Sequence, residues 1–245
     1  MFPSKPSKYH FQTRLIERLE GERSSGKEFR VLEIGSGTSE VAHALLARFP
    51  FLRYVGIEPD PVSVAKARER LKGIDRATVI HGFGYGGEKR PELERPFDMV
   101  FSLSVLEHVK DLPTFIDYSV KMARPGADVI HLYDLGHALY PSGLKERIQT
   151  KLCGTGLLRI FPEHKVARYL ATEDVRKLLE GSCDIKEVTF HNMPSLVALS
   201  KRVVDEGLMR EIVAFESAHA GKVADMKLRE KLFPSVCFWT KKKNA

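Results

Sequence analysis

The chain has 245 residues, 43% of them apolar, enough for one large domain or one domain with a modest cap, and global disorder is excluded. Its net charge is +7, but +3 lies in residues 1–30 and +3 in Lys241, Lys242 and Lys243, so the body between carries only +1, too little for the basic face of a nucleic-acid enzyme. No apolar run approaches the roughly 18–20 residues of a membrane span; the N-terminus lacks a secretion signal's apolar core, and Cys153, Cys183 and Cys237 are too scattered for a disulfide framework or zinc site, so a reducing, cytoplasmic setting is expected.

Tyr9 to Glu20 reads as a helix with Phe11, Leu15, Ile16 and Leu19 on one face. A polar linker follows. Phe29 to Ile34 is a short buried strand that runs into a glycine-rich turn. Ser39 to Arg48 is the next helix, Leu52 to Ile57 a strand, and Pro61 to Leu71 a helix with proline at a favoured first position. Strands are predicted at Ala77–Ile80, Phe97–Ser102 and Asp128–Tyr133, with a helix over Asp111–Ala123. This alternation argues a parallel sheet covered on both faces, with ligands beyond the carboxyl ends of its strands. Residues 135–168 read as an irregular, partly helical stretch. Thr172 to Leu179 reads as a helix capped by Thr172, Ile185 to Phe190 as a strand, Ser195 to Leu232 as mostly helical, and Val236 to Thr240 as a last strand.

The strongest motif is VLEIGSGTSE at residues 31–40, a strand, then Gly35-Ser36-Gly37, then a helix. Gly35 permits a sharp turn and Gly37 a close approach of backbone to ligand. Glu58 stands twenty-one residues past Gly37, at the end of the next strand, where a carboxylate can accept from ribose hydroxyls. Together these point to an adenosine-containing cofactor. A dinucleotide site wants a third glycine at residue 40, which is Glu40, and Glu33 precedes the turn. Two carboxylates repel a pyrophosphate. S-adenosylmethionine carries a sulfonium, an ammonium and one carboxylate, and suits an acidic strand end.

VLEIGSGTSEVA, GIEPD, FDMVFSLSVLEHV and ARPGADVIHLYD, taken in order, resemble the class I S-adenosylmethionine-dependent methyltransferases, most closely the ubiquinone and menaquinone biosynthesis group. The resemblance covers about residues 28–134, more weakly 168–191. It implies a Rossmann-like, doubly wound, seven-stranded α/β sheet whose last strand is antiparallel. It implies that Glu33, Gly35, Ser36 and Gly37 take the methionine half of the cofactor, and that Glu58 holds the ribose with Pro59 alongside the adenine. Gly82, Phe83 and Gly84 would flank the adenine, Phe83 standing where many relatives have an adenine-binding Asp. Ser102 and Leu103 would line the methyl-donor site.

Methyl transfer to oxygen is helped by a base that removes the acceptor's proton. His108, just past a strand end, is a candidate base, and Glu107 is read as a supporting or surface carboxylate. Asp134 and His137 lie near the predicted acceptor pocket, and Tyr133 is a candidate for facing substrate. His131, on the same strand face as Tyr133, reads as a satisfied residue under a helix. Some relatives hold a divalent cation through a Glu-x-x-Glu-His arrangement; Ser104 replaces the first Glu here, so no metal is expected.

Residues 1–27, 135–168 and 192–234 are expected to cap a core formed by 28–134 and 169–191, with 235–245 as last strand and basic tail. The cap favours a small-molecule acceptor over a nucleic acid. Leu144, Ile148 and Leu152 form a stripe among basic residues; it reads as a cap helix with its stripe inside, though the pattern also suits a membrane surface. Tyr140, His164 and Tyr169 are lid candidates. The expected function is O-methylation of a small molecule. The rivals are an RNA or protein methyltransferase docking through basic ends, and a non-catalytic scaffold.

Overall fold

Alternating strands and helices assemble where the apolar periodicity places them. The computed structural model describes residues 3–86, 90–141, 143, 148, 168–202 and 205–244. Strand β1 (Phe29–Ile34) is buried along its whole length, as a central strand must be. It pairs in parallel with β2 (Leu52–Glu58) and β4 (Phe97–Leu103). β3 (Ala77–His81) adds outside β2, and β5 (Ala123–Asp134) outside β4. β7 (Ser235–Lys242) runs antiparallel between β5 and β6 (Cys183–His191). The order is β3-β2-β1-β4-β5-β7-β6. It reverses between β1 and β4, which opens a crevice at their carboxyl ends.

Among the described residues the helices are α1 (Pro6–Glu20), α2 (Glu40–Arg48), α3 (Pro61–Arg70), α4 (Leu112–Met122), α5 (Gly136–Leu139), α6 (Thr172–Glu180), α7 (Pro194–Ser200), α8 (Glu206–Ala220) and α9 (Met226–Leu232). Alternation along the strands feeds two cores. Leu32, Val100, Val129 and Tyr133 face one, with Phe115 of α4. Val31, Phe101, Ile130 and Leu132 face the other, with Leu45 of α2 and Phe11, Leu15 and Leu19 of α1. Aspartates cap several helices: Asp60, Asp111, Asp205 and Asp225 accept from the N–H groups of Ser63, Thr114, Leu208 and Leu228. Thr172 is not a cap. Ala171 holds that position, and the Thr172 N–H donates to Glu230 Oε1 at 2.7 Å, tying α6 to α9.

The apolar face of α1 docks on the sheet, and Arg18 Nε donates to the buried Asp128 Oδ2 at 2.7 Å. Trp239 Nε1 donates to the other oxygen at 3.2 Å. Helix α8 supports α1 from outside: Tyr9 Oη donates to Glu206 Oε1 at 2.8 Å, and Arg210 Nε donates to Tyr9 Oη at 3.1 Å. Lys241 and Lys242 belong to β7, so the last strand runs further into the basic tail than predicted. Lys242 Nζ and Lys243 Nζ donate to the carbonyls of Ala123 and Glu180, both at 2.7 Å. Tyr140 and Tyr169 bond to Lys231 O and Glu230 Oε2, which places both against α9. Leu144, Leu152 and His164 lie outside the described residues. Among the described residues no helix is long and apolar enough to cross a membrane.

Candidate active site

The turn after β1 is built to bring bare backbone to a ligand. Gly35 has φ +77°, and a Cβ there would fall 2.3 Å from Val105 Cγ2. Gly37 has φ +52° and nothing within 4 Å of a built Cβ, so it faces open space. The Gly37 N–H donates to Glu58 Oε2 at 2.7 Å, and the Asp60 N–H to Glu58 Oε1 at 2.9 Å. Each Glu58 oxygen keeps a lone pair for a further donor. Gly82 N–H donates to Glu58 O at 3.1 Å, which sets the end of β3 beside the end of β2. Phe83, 50% exposed, stands there with Pro59, whose carbonyl lies 3.0 Å from His81 Nε2.

A cavity of about 720 Å³ opens against this turn. Glu33, Gly35, Ser36, Gly37 and Leu103 line one side; Lys5, Lys8 and Gln12 of the α1 segment line the other. Glu33 is buried, and its Oε2 accepts from Tyr54 Oη at 2.7 Å. Burial pushes its carboxyl up to about 8, helped by the charge of Glu58 and opposed by the Tyr54 bond and Lys8.

On the β4–β5 side, Leu106–His108 makes one turn of 3-10 helix after β4. The His108 and His137 rings lie 6.3 Å apart. Asp134, 7% exposed, accepts from Lys5 Nζ at 3.2 Å and from the Gly136 N–H at 2.8 Å. Glu107 is fully buried, not a surface group, and its Oε1 accepts from the Asp134 N–H at 3.2 Å. Burial and the nearby Asp134 raise its carboxyl to about 8. His108, His137 and Asp134 therefore gather around one strand end.

Three sequence expectations are corrected. Tyr133 does not face a pocket: it is fully buried, its ring stacked on Phe238 at 6.4 Å. Ser102 turns into the core, its Oγ 2.8 Å from His131 Nδ1. Gly84 is a packing glycine, because a Cβ would lie 2.3 Å from Ile34 Cγ2 and 2.9 Å from Phe115 Cε2. His131 is held as read, between Ser102 and Ser119 under α4, and burial lowers its imidazole to about 3. Among the described residues no three His, Cys, Asp or Glu side chains converge to hold a metal.

The family model for a methyltransferase domain matches residues 32–129, the span that builds this turn and the strands beside it. Residues 32–129 are thus similar to a methyltransferase domain, over less than half of the chain. A malonyl-[acyl-carrier protein] O-methyltransferase of Chlorobium luteolum is 35% identical over 107 residues, 42% of this chain and 39% of that protein. A ubiquinone biosynthesis O-methyltransferase of Rhizobium johnstonii is 26% identical over 183 residues, 70% of this chain and 68% of that protein. For the first four curated relatives the match spans under half of their length. The solved phosphoethanolamine N-methyltransferase 2 of Haemonchus contortus superposes with a TM-score of 0.60 over 98% of this chain and 54% of that one, at 20% identity, and shares the fold.

The candidate site also contains residues that the motifs do not include. Lys5, Lys8 and Gln12 follow one another by three and four positions, a polar stripe along the edge of the face that carries Phe11, Leu15 and Leu19. That spacing was the available signal. Tyr54 had none, because a tyrosine in a buried strand reads as core.

Proposed function

We propose that this methyltransferase moves a methyl group from S-adenosylmethionine to an oxygen of a small-molecule acceptor. The observation that carries this reading is the cavity beside the Gly35–Gly37 turn, with an acidic floor at Glu33 and lysines opposite. It suits an amino acid's ammonium and carboxylate. When bound, the cofactor supplies an electrophilic methyl whose in-line displacement depends chiefly on alignment in a dry site. Glu58 would bond the ribose, Pro59 and Phe83 would cover the adenine, and Leu103 would border the methyl. His108 and His137, with their rings 6.3 Å apart, would take the proton of an acceptor hydroxyl, and Asp134 with Lys5 would set the charge of that end.

Two relatives named as O-methyltransferases support oxygen as the acceptor atom. The α1 wall, buttressed by α8, supports a small acceptor, with 28–134 and 169–191 as core and the 135–168 and 192–234 segments as cap. Many basic groups of the two ends are engaged within the fold: Lys5 with Asp134, Arg14 with Glu187, Arg18 with Asp128, Lys242 and Lys243 with carbonyls. That weighs against docking of nucleic acid through the ends. The test is calorimetric titration with S-adenosylmethionine, S-adenosylhomocysteine and NADH, followed by a labelled-methyl screen of hydroxylated acceptors. Micromolar binding of the first two and none of NADH is expected. Absence of both overturns the reading.

A further inference from the structure

Behind Glu33 stands a buried hydroxyl that the transfer itself does not use. Tyr54, 1% exposed, sits on β2 and donates from Oη to Glu33 Oε2 at 2.7 Å. Ser39 Oγ lies 3.4 Å from the same Oη. Gly56 makes room for the arrangement: a Cβ there would come 2.6 Å from Tyr54 Oη and 2.8 Å from Ser36 Oγ. A glycine inside a strand costs stability, and here it clears the path of a tyrosine hydroxyl to a carboxyl in the cavity floor. The charged groups around Glu33 are few. Glu58 on β2 repels its charge and Lys8 on α1 attracts it; Lys5 and Glu40 line the same cavity. An ionised carboxylate buried with one neutral donor is costly.

We propose that Tyr54 is a positioning residue for cofactor recognition: it holds Glu33 by one oxygen and supports the carboxylate that forms there when the cofactor's ammonium enters and displaces the Glu33 proton. The inference rests on the cofactor reading above. Tyr54 keeps Oε2, which leaves Oε1 for the cavity. The ammonium arrives with its own protons, the carboxyl proton leaves to solvent, and the resulting pair is neutral. Affinity for S-adenosylmethionine therefore rises with pH, by up to about tenfold per unit, as pH approaches the Glu33 value from below.

Calorimetry of the wild-type chain at pH 7, in two buffers of different ionisation heat, counts the protons. Release approaching one proton is expected with S-adenosylmethionine. None is expected with methylthioadenosine, which keeps the adenosine and sulfur but lacks the ammonium and carboxylate. Tyr54→Phe is expected to weaken S-adenosylmethionine about tenfold, as loss of one hydrogen bond to a charged group does, and to leave methylthioadenosine within about twofold. Glu33→Gln, which keeps the shape, should bind without proton release and without the pH slope. Zero proton release by the wild type, or an equal loss of both probes in Tyr54→Phe, overturns the proposal. Binding of neither probe to the wild type overturns the cofactor reading, and this proposal with it.

Discussion

One carboxylate, Glu58, closes the glycine turn and would also serve the loaded site in the proposed reading. Its two oxygens close the glycine turn through Gly37 and Asp60, and the same oxygens are those a ribose would meet. Glu58→Arg removes two charge-assisted bonds and sets a cation against the turn. About 3 kcal/mol of lost binding, or roughly 100-fold in Kd for S-adenosylmethionine, is expected by calorimetry. Unchanged affinity would move the ribose site elsewhere. Tyr133→Phe should do the opposite of what strand alternation suggested: turnover stays within about twofold, because the ring belongs to the core and not to a pocket. Residues of the turn were legible because their spacing is tied to a backbone shape that few residues can adopt. Ser102 and Tyr133 were not, because period-two alternation says which side chains share a face and not whether a helix covers it. The α4 helix covers that face with Phe115 and Ser119.

At the scale of elements, the strands and core helices were legible to within a few residues, since each shows apolar patterning and α3 and α4 also carry an aspartate cap and a proline in the first turn. The largest miss was β5, which begins at Ala123 and not Asp128; Phe97 pairs with Ala123 before a register shift. A run of Arg124, Pro125 and Gly126 reads as a turn by composition, and tertiary pairing overrides it. The junction after β3 gives a prediction of its own. Gly84 lies between Ile34 of β1 and Phe115 of α4, so it couples the glycine turn's strand to the helix over β4 and β5. Gly84→Ala overpacks this contact and is expected to cost about 1–3 kcal/mol in urea unfolding. The φ there is ordinary for any residue, so backbone strain adds nothing and steric crowding is the whole effect. A stability equal to wild type would mean that the two neighbours give way freely.

Over the whole molecule, the buried titratable groups oppose one another and should shape the pH dependence of folding. Glu33 and Glu107 are raised from 4.5 to about 8 by burial. His131 and His10 are lowered from 6.5 to about 3, mainly by burial, with His191 and Arg14 adding to it for His10. Above 6.5 the unfolded chain holds no proton on these four groups, while the folded chain holds two on its carboxyls. Stability therefore falls as pH rises from 6.5 through about 8, by up to about 1.4 kcal/mol per unit for each carboxyl. Between 4.5 and 6.5 the unfolded histidines bind as many protons as the folded carboxyls, and the slopes cancel. Below 4.5 the carboxyls are protonated in both states and only the histidines differ, so stability falls again toward pH 3. The expectation is a plateau between about pH 4.5 and 6.5 with a decline on both sides, measured as the urea midpoint against pH. A Glu33→Gln, Glu107→Gln double variant should flatten the alkaline limb and leave the acid limb in place. A midpoint that climbs between pH 6.5 and 8 would mean that these two carboxyls are ionised in the folded chain, and that the acidic floor of the cavity already carries its charge before any cation arrives.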